Sequence, residues 1–498
     1  MNTSNTKNVC TIIILSLTFL SVTSAKIIYV DDDANGLNDG SSWTNAYNYL
    51  QDALSDANSS AKPVEICVAQ GIYKPDQGSG KTPGDREDTF QLINGVTLRG
   101  GYAGFGEPDP NARDVDLYET ILSGDLNDND VDVNEPWELW EEPTRSENSY
   151  NIVTGSGTDE TTVIDGFTIT GGNANDASWV RWSSGGGMYN HQGCPMVSNC
   201  ILSRNSAMVG GGMWNVEGGP LLTKCRFTGN YASGGGGLYN QSNPTLVKCT
   251  FTENSAITGG GMNDNGGNPM LTNCTFRGNS AWAGGGIWLM GTCCPVGVQT
   301  VTNCIFSGNS ATYGGAVHSS YDDLILANCI FTENSAECYG GGMYNASSSP
   351  TVTNCILWAD VPSEIHGDPP IVTYSDVQGS WEGQGNINTD PCFADANNQD
   401  YHLKSQAGRW DANEGRWTKD EVTSLCIDAG DPASPIGLEP FPNGGIINMG
   451  AYGGTAEASK SYFGKPPCET IIAGDINGDC KVDFKDFAFM AYHWLEEH

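Results

Sequence analysis

The sequence predicts an all-β solenoid, a parallel β-helix of about 25 residues per coil, and three observations carry that prediction. A block repeats seven times between Gly185 and Trp358, marked by Cys200, Cys225, Cys249, Cys274, Cys304, Cys329 and Cys355 at gaps of 25, 24, 25, 30, 25 and 26 residues. A period of about 20 to 50 residues marks stacked units that bury their apolar faces only against their neighbours. Three apolar ladders keep step with the cysteines: Val197 to Val352 three residues before, Leu202 to Leu357 two residues after, and Met188 to Met343 behind a glycine run. Residues two apart on a strand share a face. An offset of three is odd, so the chain must bend near Asn199, Lys224 and Lys248. Finally, glycine runs and Pro195, Pro220, Pro244, Pro269 and Pro350 stand where corners and strand starts would need them.

Each coil is expected to hold two or three short strands. Asn205, Asn230, Asn254, Asn279, Asn309 and Asn334 should stack at one turn, their amides bonding backbone groups that the corner leaves unpaired. In chain order, residues 1–25 read as a signal peptide, with Lys7, an apolar run from Thr11 to Val22 and the small residues Thr23, Ser24 and Ala25. Residues 26–150 read as a cap and first coils. They carry a strand from Ile27 to Val30 and an amphipathic helix from Trp43 to Ala57, which would cover the open sheet edge. They also contain a long acidic excursion, Asp125 to Ser149, expected to need a metal or ligand to order. The repeats fill 151–360. Within 361–463, Ile371 to Val377 and Asp400 to Leu403 read as degenerate coils, and Cys426 to Pro432 with Ile447 to Gly454 as a module closing the end. A linker, 464–470, leads to a terminal calcium repeat, 471–498. No segment after the signal peptide reaches the roughly 18 apolar residues a membrane-spanning helix needs.

The recurring pairs, such as Gly285-Gly286-Ile287 and Phe306-Ser307-Gly308-Asn309, resemble the repeats of chlamydial-type polymorphic outer-membrane proteins. The resemblance covers roughly 150–360. It implies a right-handed β-helix of the pectin-lyase type, a fold that hosts lyases, hydrolases and adhesins alike. At the C-terminus, Asp475, Asn477, Asp479, Asp483 and Asp486 occupy loop positions that offer oxygen ligands to a hard cation, with the Lys481 carbonyl at the seventh position. This segment is similar to one calcium repeat of a type I dockerin, which implies Ca2+ and a cohesin-like partner. A single repeat, and Cys480 at the usual glycine position, depart from that pattern. A calcium-stabilised attachment module is therefore the expectation.

The net charge of −36 argues against nucleic acid as a partner. The repeat block holds only seven acids, so its Asn, Ser, Thr and Gly surface suits a hydroxyl-rich partner, a polysaccharide or cell-surface glycan. Seventeen cysteines in an exported chain suggest disulfides. The ladder is an exception, because rungs about 4.8 Å apart do not suit a Cβ separation of about 3.8 Å. Its cysteines should act as small buried hydrophobes. Cys468 with Cys480, and Cys392 with Cys426, are candidate pairs, with connectivity open.

Tyr189, Trp214, Tyr239, Trp288 and Tyr344 follow the methionine ladder by one residue and so point outward, interrupted by Asn263 and His318, while Trp282, Tyr313 and Tyr339 flank the same glycine corner on later coils. They would form either a platform for sugar rings or a simple cross-strand stack. Catalytic candidates are sparse: His318 with Asp322 and Asp323, or the excursion from Asp125 to Glu135. Uniform coils without grouped acids and a base favour non-catalytic glycan or cell-surface binding. The alternative is a polysaccharide lyase or a glycoside hydrolase, which needs two carboxyl groups about 5 to 9.5 Å apart.

Overall fold

The computed structural model describes residues 25–178, 180–291, 298–321 and 324–462. The expected signal peptide, the Asp322–Asp323 pair, the linker, the Cys468–Cys480 candidate and the calcium loop at Asp475, Asn477, Asp479, Lys481, Asp483 and Asp486 lie outside these residues. Each coil of the repeat block turns through four strands, one more than the spacing predicts. The strands stack into four long parallel sheets, which we label I to IV.

One coil shows the rule. Met188–His191 lies in sheet IV, Met196–Ser198 in sheet I, Ile201–Ser203 in sheet II and Ser206–Val209 in sheet III. Each strand pairs in register with its equivalent one coil on, as Leu202 with Phe227. The predicted bend between sheets I and II is a left-handed backbone position: φ is +49° at Asn199, +54° at Lys224 and +55° at Lys248. That single residue turns the chain so that Val197 and Cys200 both point inward despite their odd spacing. The glycine corner before sheet IV is forced by proximity. A Cβ on Gly212 would lie 2.5 Å from the carbonyl oxygen of Gly237 in the next coil.

Packing repeats with the coils. Phe227, Phe251, Phe276, Phe306 and Phe331 stack with centroids 4.6 to 5.1 Å apart, the spacing of the strands that carry them. The ladder cysteines are free and buried, and their Sγ atoms approach backbone carbonyls, as Cys225 to Val197 O at 3.3 Å. Between sheets II and III the asparagines stack as expected. Asn230 donates its backbone N–H and Nδ2 to Asn254 Oδ1 at 3.1 and 2.9 Å, and Nδ2 also reaches Leu202 O at 2.8 Å. A second buried amide ladder lines sheet IV, where Asn190 donates to Asn215, Asn215 to Asn240 and Asn240 to Asp264.

The ends depart from the sequence reading in four ways. The cap helix is shorter than predicted, Leu50–Ser59, although Leu50, Ala53, Leu54 and Ala57 form its buried face. Ala46 is buried as expected but precedes the helix. Ile371–Thr373 and Asp376–Val377 do form a last coil, whereas Asp400–Leu403 pairs antiparallel with Phe393–Asp395 in a hairpin. The module at Cys426 to Gly454 lies along the flank of the last coils. Ile427, Met449 and Ala451 cover the outward side chains Ile305, Ile330 and Ile356 of sheet II. Asn303 Nδ2 holds Ala451 O and Gly453 O, both at 2.8 Å, and Gly450 N–H donates to Asn354 O. Cys392 and Cys426 are free thiols; Cys426 Sγ instead meets Asp376 Oδ2 at 3.1 Å.

The long asparagine ladder ends on an acid. Asn334 donates N–H and Nδ2 to Asp360 Oδ1 at 2.7 and 2.8 Å, and Glu364 Oε1 accepts the Asp360 N–H. Asp360 Oδ2 and Glu364 Oε2 are buried without partners. Burial, with Glu364 beside it, holds the Asp360 carboxyl well above its ordinary range, and burial pushes Glu364 up to about 7. Raised carboxyl pKa values stabilise below the unfolded value and lose that contribution as pH rises through the folded one. The last coil should therefore loosen between about pH 4.5 and 7, by roughly 1 to 3 kcal/mol. Glu364→Gln should flatten that dependence, because Glu364 is the group that titrates near 7, read as hydrogen exchange of residues 356–377 at pH 5 and pH 8. Undiminished pH dependence in the variant would refute the assignment.

Within the stack, Phe276→Ala should cost about 3 to 5 kcal/mol, because its ring faces Phe251 and Phe306 and the coil cannot collapse around one rung. Thermal denaturation measures it, and a loss below about 1 kcal/mol would contradict the packing.

Candidate functional site

Two surfaces break the regularity of the coils. The first is the outer face of sheet IV with the neighbouring edge of sheet III. Tyr189, Trp214, Tyr239, Trp288, His318 and Tyr344 do occupy one outward register position. They fall into two runs, because Asn263 between them is buried, with Nδ2 on Thr258 Oγ1 at 2.7 Å. In the first run Tyr189 and Trp214 stack 4.7 Å apart at 10°, so each ring covers the other's face, and Trp214 is only 7% exposed. Tyr239 is held by Asn265, whose Nδ2 donates to its hydroxyl at 3.0 Å.

The second run is longer than the sequence suggested by one ring, His366. Trp288, His318, Tyr344 and His366 follow one another along sheet IV. Trp282, Tyr313 and Tyr339 join from sheet III across the glycine corner, with Trp282 to Tyr313 at 5.2 Å and Tyr313 to Tyr344 at 5.7 Å. Tyr339 stacks on His366 at 4.3 Å. Trp282 is 56% and Tyr339 47% exposed. His366 lies past the last cysteine, so repeat counting does not reach it. Its signal is the Ile365 that continues the methionine ladder.

His318 is poorly suited to acid–base work. Burial in this stack pushes its imidazole down to about 4. A lowered histidine pKa means the neutral ring is favoured, and stability falls as pH drops below the unfolded value of about 6.5. Its nitrogen NMR signals should remain those of a neutral imidazole at pH 5.5; a protonated ring there would contradict the burial.

The second surface is a groove of about 420 Å³ running along the solenoid axis. One wall is Val133 to Pro136 of the acidic excursion. The excursion is built on two tight 3-10 turns, Pro136–Trp140 and Pro143–Arg145, the first packed across sheet III. The other wall is the corner after sheet II, where successive coils place Arg204, Gly229, Glu253 and Gly278. All four have left-handed φ, from +52° to +61°. Glycine adopts this freely, whereas Arg204 and Glu253 each carry a strain of roughly 1 kcal/mol. The same left-handed position recurs at Glu333, so the coil geometry sets it. Arg204 and Glu253 stand two rungs, about 10 Å, apart along the groove. Arg204 forms an ion pair with Asp132 of the excursion.

Arg145 and Asn148 staple the excursion to the coils. Arg145 is buried; its guanidinium bonds Asp130 Oδ2 at 2.9 Å, Gly172 O at 2.9 Å and Arg204 O at 3.1 Å. Asn148 Nδ2 reaches Gly171 O at 2.6 Å. A smaller cavity of about 180 Å³ brings Asp116 beside Lys224 and Arg226, an acid that the repeat pattern alone does not place there.

Comparison with known proteins agrees with this architecture. The family model described as right handed beta helix region matches residues 145–299. The Chlamydia polymorphic membrane protein repeat matches residues 303–320, and the disaggregatase related family matches residues 371–430. The chain is a right-handed parallel β-helix. No curated protein matches it. A crystal structure of pectate lyase Pel9A is similar with a TM-score of 0.46 and 14% identity, over 86% of this chain and 97% of that one. At that score the likeness says nothing about the chemistry of the β-helix described here. Among the described residues, no helix is long and apolar enough to cross a membrane.

Proposed function

We propose that this β-helix is an exported or surface protein that holds polysaccharide or cell-surface glycan without cleaving it. The observation that supports the reading is the second aromatic run. Contiguous exposed aromatic surface marks an interaction site, and rings with polar tips suit sugars, which offer both C–H faces and hydroxyls. The surrounding coils supply neutral amide and hydroxyl side chains, so no like-charge barrier faces a neutral chain. The terminal segment with Asp475, Asn477, Asp479, Lys481, Asp483 and Asp486 would bind Ca2+ and attach the solenoid to a surface or to a cohesin-like partner. Export would rest on residues 1–25.

A second reading, a lyase or glycoside hydrolase, is favoured by the base and acid, Arg204 and Glu253, that line the axial groove. The two readings separate on an array of plant, algal and bacterial polysaccharides scored for both retention and cleavage. Retention is expected without cleavage. Trp282→Ala combined with Tyr339→Ala should weaken retention at least about tenfold, or about 1.4 kcal/mol. Trp214→Ala should lower stability and leave retention nearly unchanged, because its ring face is already covered. Cleavage products that vanish in Glu253→Gln would transfer the function to the groove and overturn the binding reading.

A further inference from the structure

The acidic excursion holds a group of oxygen atoms that its own residues satisfy only in part, Asp125 Oδ1 and Oδ2 accepting the N–H of Asn129 and Asp130 at 3.2 and 3.1 Å. One ligand oxygen each from Asp125, Asp130 and Glu147 lies within 4.8 Å of the others. Asn148 is fully buried and turns its amide toward this group, with Nδ2 donating to Asp130 Oδ2 at 2.9 Å. Its Oδ1 has no partner, and neither has the buried Asp130 Oδ1. An acceptor buried without a donor costs about 1 to 3 kcal/mol. These atoms cannot relieve one another, since carboxylate and amide oxygens only accept. Arg145 answers one of the three carboxylates, through Asp130 Oδ2. Asn129, in the orientation that satisfies its amide, steadies Glu147 Oε1.

We propose that Asp125, Asp130 and Glu147, with the amide oxygen of Asn148, bind one hard divalent cation, Ca2+. Oxygen donors alone, of mixed carboxylate and carbonyl type, are the ligand set of Ca2+. Two oxygens on one Ca2+ at about 2.3 to 2.6 Å each are separated by no more than about 5 Å, which the cluster meets. The placement gives the ion a task. Asp125 and Asp130 stand where the excursion leaves the coils, and Glu147 and Asn148 where it returns. A cation between them closes a loop of about 20 residues and so restricts its unfolding. The excursion is also a wall of the axial groove. Any effect of the ion on a glycan there rests on the functional reading above, whereas ion binding does not.

The test uses the full chain carrying Asp475→Ala and Asp479→Ala, so that the terminal loop contributes no calcium. Calcium alone is the probe, followed by calorimetry and hydrogen exchange, with and without chelator. The expected result is one Ca2+ bound per chain and exchange in residues 126–149 slowed roughly tenfold at about ten times the dissociation constant. Asp125→Asn with Glu147→Gln should abolish both effects while exchange in strands Met213–Val216 and Leu238–Gln241 stays unchanged. Calcium binding that survives this double substitution overturns the site. If the double variant loosens the coils as well, the parent's own response decides: no calcium heat and no change in residues 126–149 overturns the proposal. Glycan retention is scored separately on the same proteins, so loss of one result leaves the other standing.

Discussion

The structure depends on the buried amide ladder between sheets II and III. The corner from Asn205 to Asn334 leaves backbone groups that neither adjoining sheet pairs. The asparagines supply both halves of the answer, because each amide accepts from the coil before through Oδ1 and donates through Nδ2. Each Oδ1 takes two donors from its neighbour, so one rung cannot shift without breaking the next. The phenylalanine stack and the cysteine ladder repeat at the same spacing, and their burial stabilises a register that the hydrogen bonds define.

A ladder of this kind has a direction, and direction explains its ends. Between rungs the donation runs toward the C-terminal side, so within the ladder the final rung has only to accept, while each Nδ2 also donates back to a carbonyl of the coil before. Asp264 ends the sheet IV ladder and Asp360 ends the long one. Asp264 is further satisfied by Gln299 Nε2 at 2.7 Å. Asp360 instead meets Glu364, and two acids in one apolar place favour the protonated form. The same logic of local departure from a repeat locates the surfaces. Where the outward position of sheet II changes from Arg226, Thr250 and Thr275 to Ile305, Ile330 and Ile356, the C-terminal module covers it. Where the corner glycine becomes Arg204 or Glu253, the excursion faces it across a groove.

Much of this was legible before any coordinates. The odd spacing between Val197 and Cys200 required a bend, and Asn199 supplies it. The asparagine turn followed from its period. The fourth strand, Ser206–Val209 and its equivalents, was hidden because Ser-Ala pairs beside glycines read as turn. The second amide ladder was also present in the sequence, as Asn190, Asn215 and Asn240 two residues after each apolar residue of sheet IV. Polar residues on an inward register are easily passed over when only apolar periodicity is counted. Asp400–Leu403 has strand composition, yet composition carries no pairing direction, and it folds back as a hairpin.

The sequence by itself determined the solenoid, its period, its inward ladders and the neutral character of its coils. These follow from interactions between equivalent residues one coil apart, and such contacts are written in the repeat. Tertiary structure alone decided what non-equivalent segments do to one another. It showed that the excursion faces Arg204 and Glu253 across a groove, that the C-terminal module covers Ile305, Ile330 and Ile356, and that Asp125 and Glu147 meet across the base of a loop. Those contacts join positions with no shared period, so no spacing along the chain encodes them.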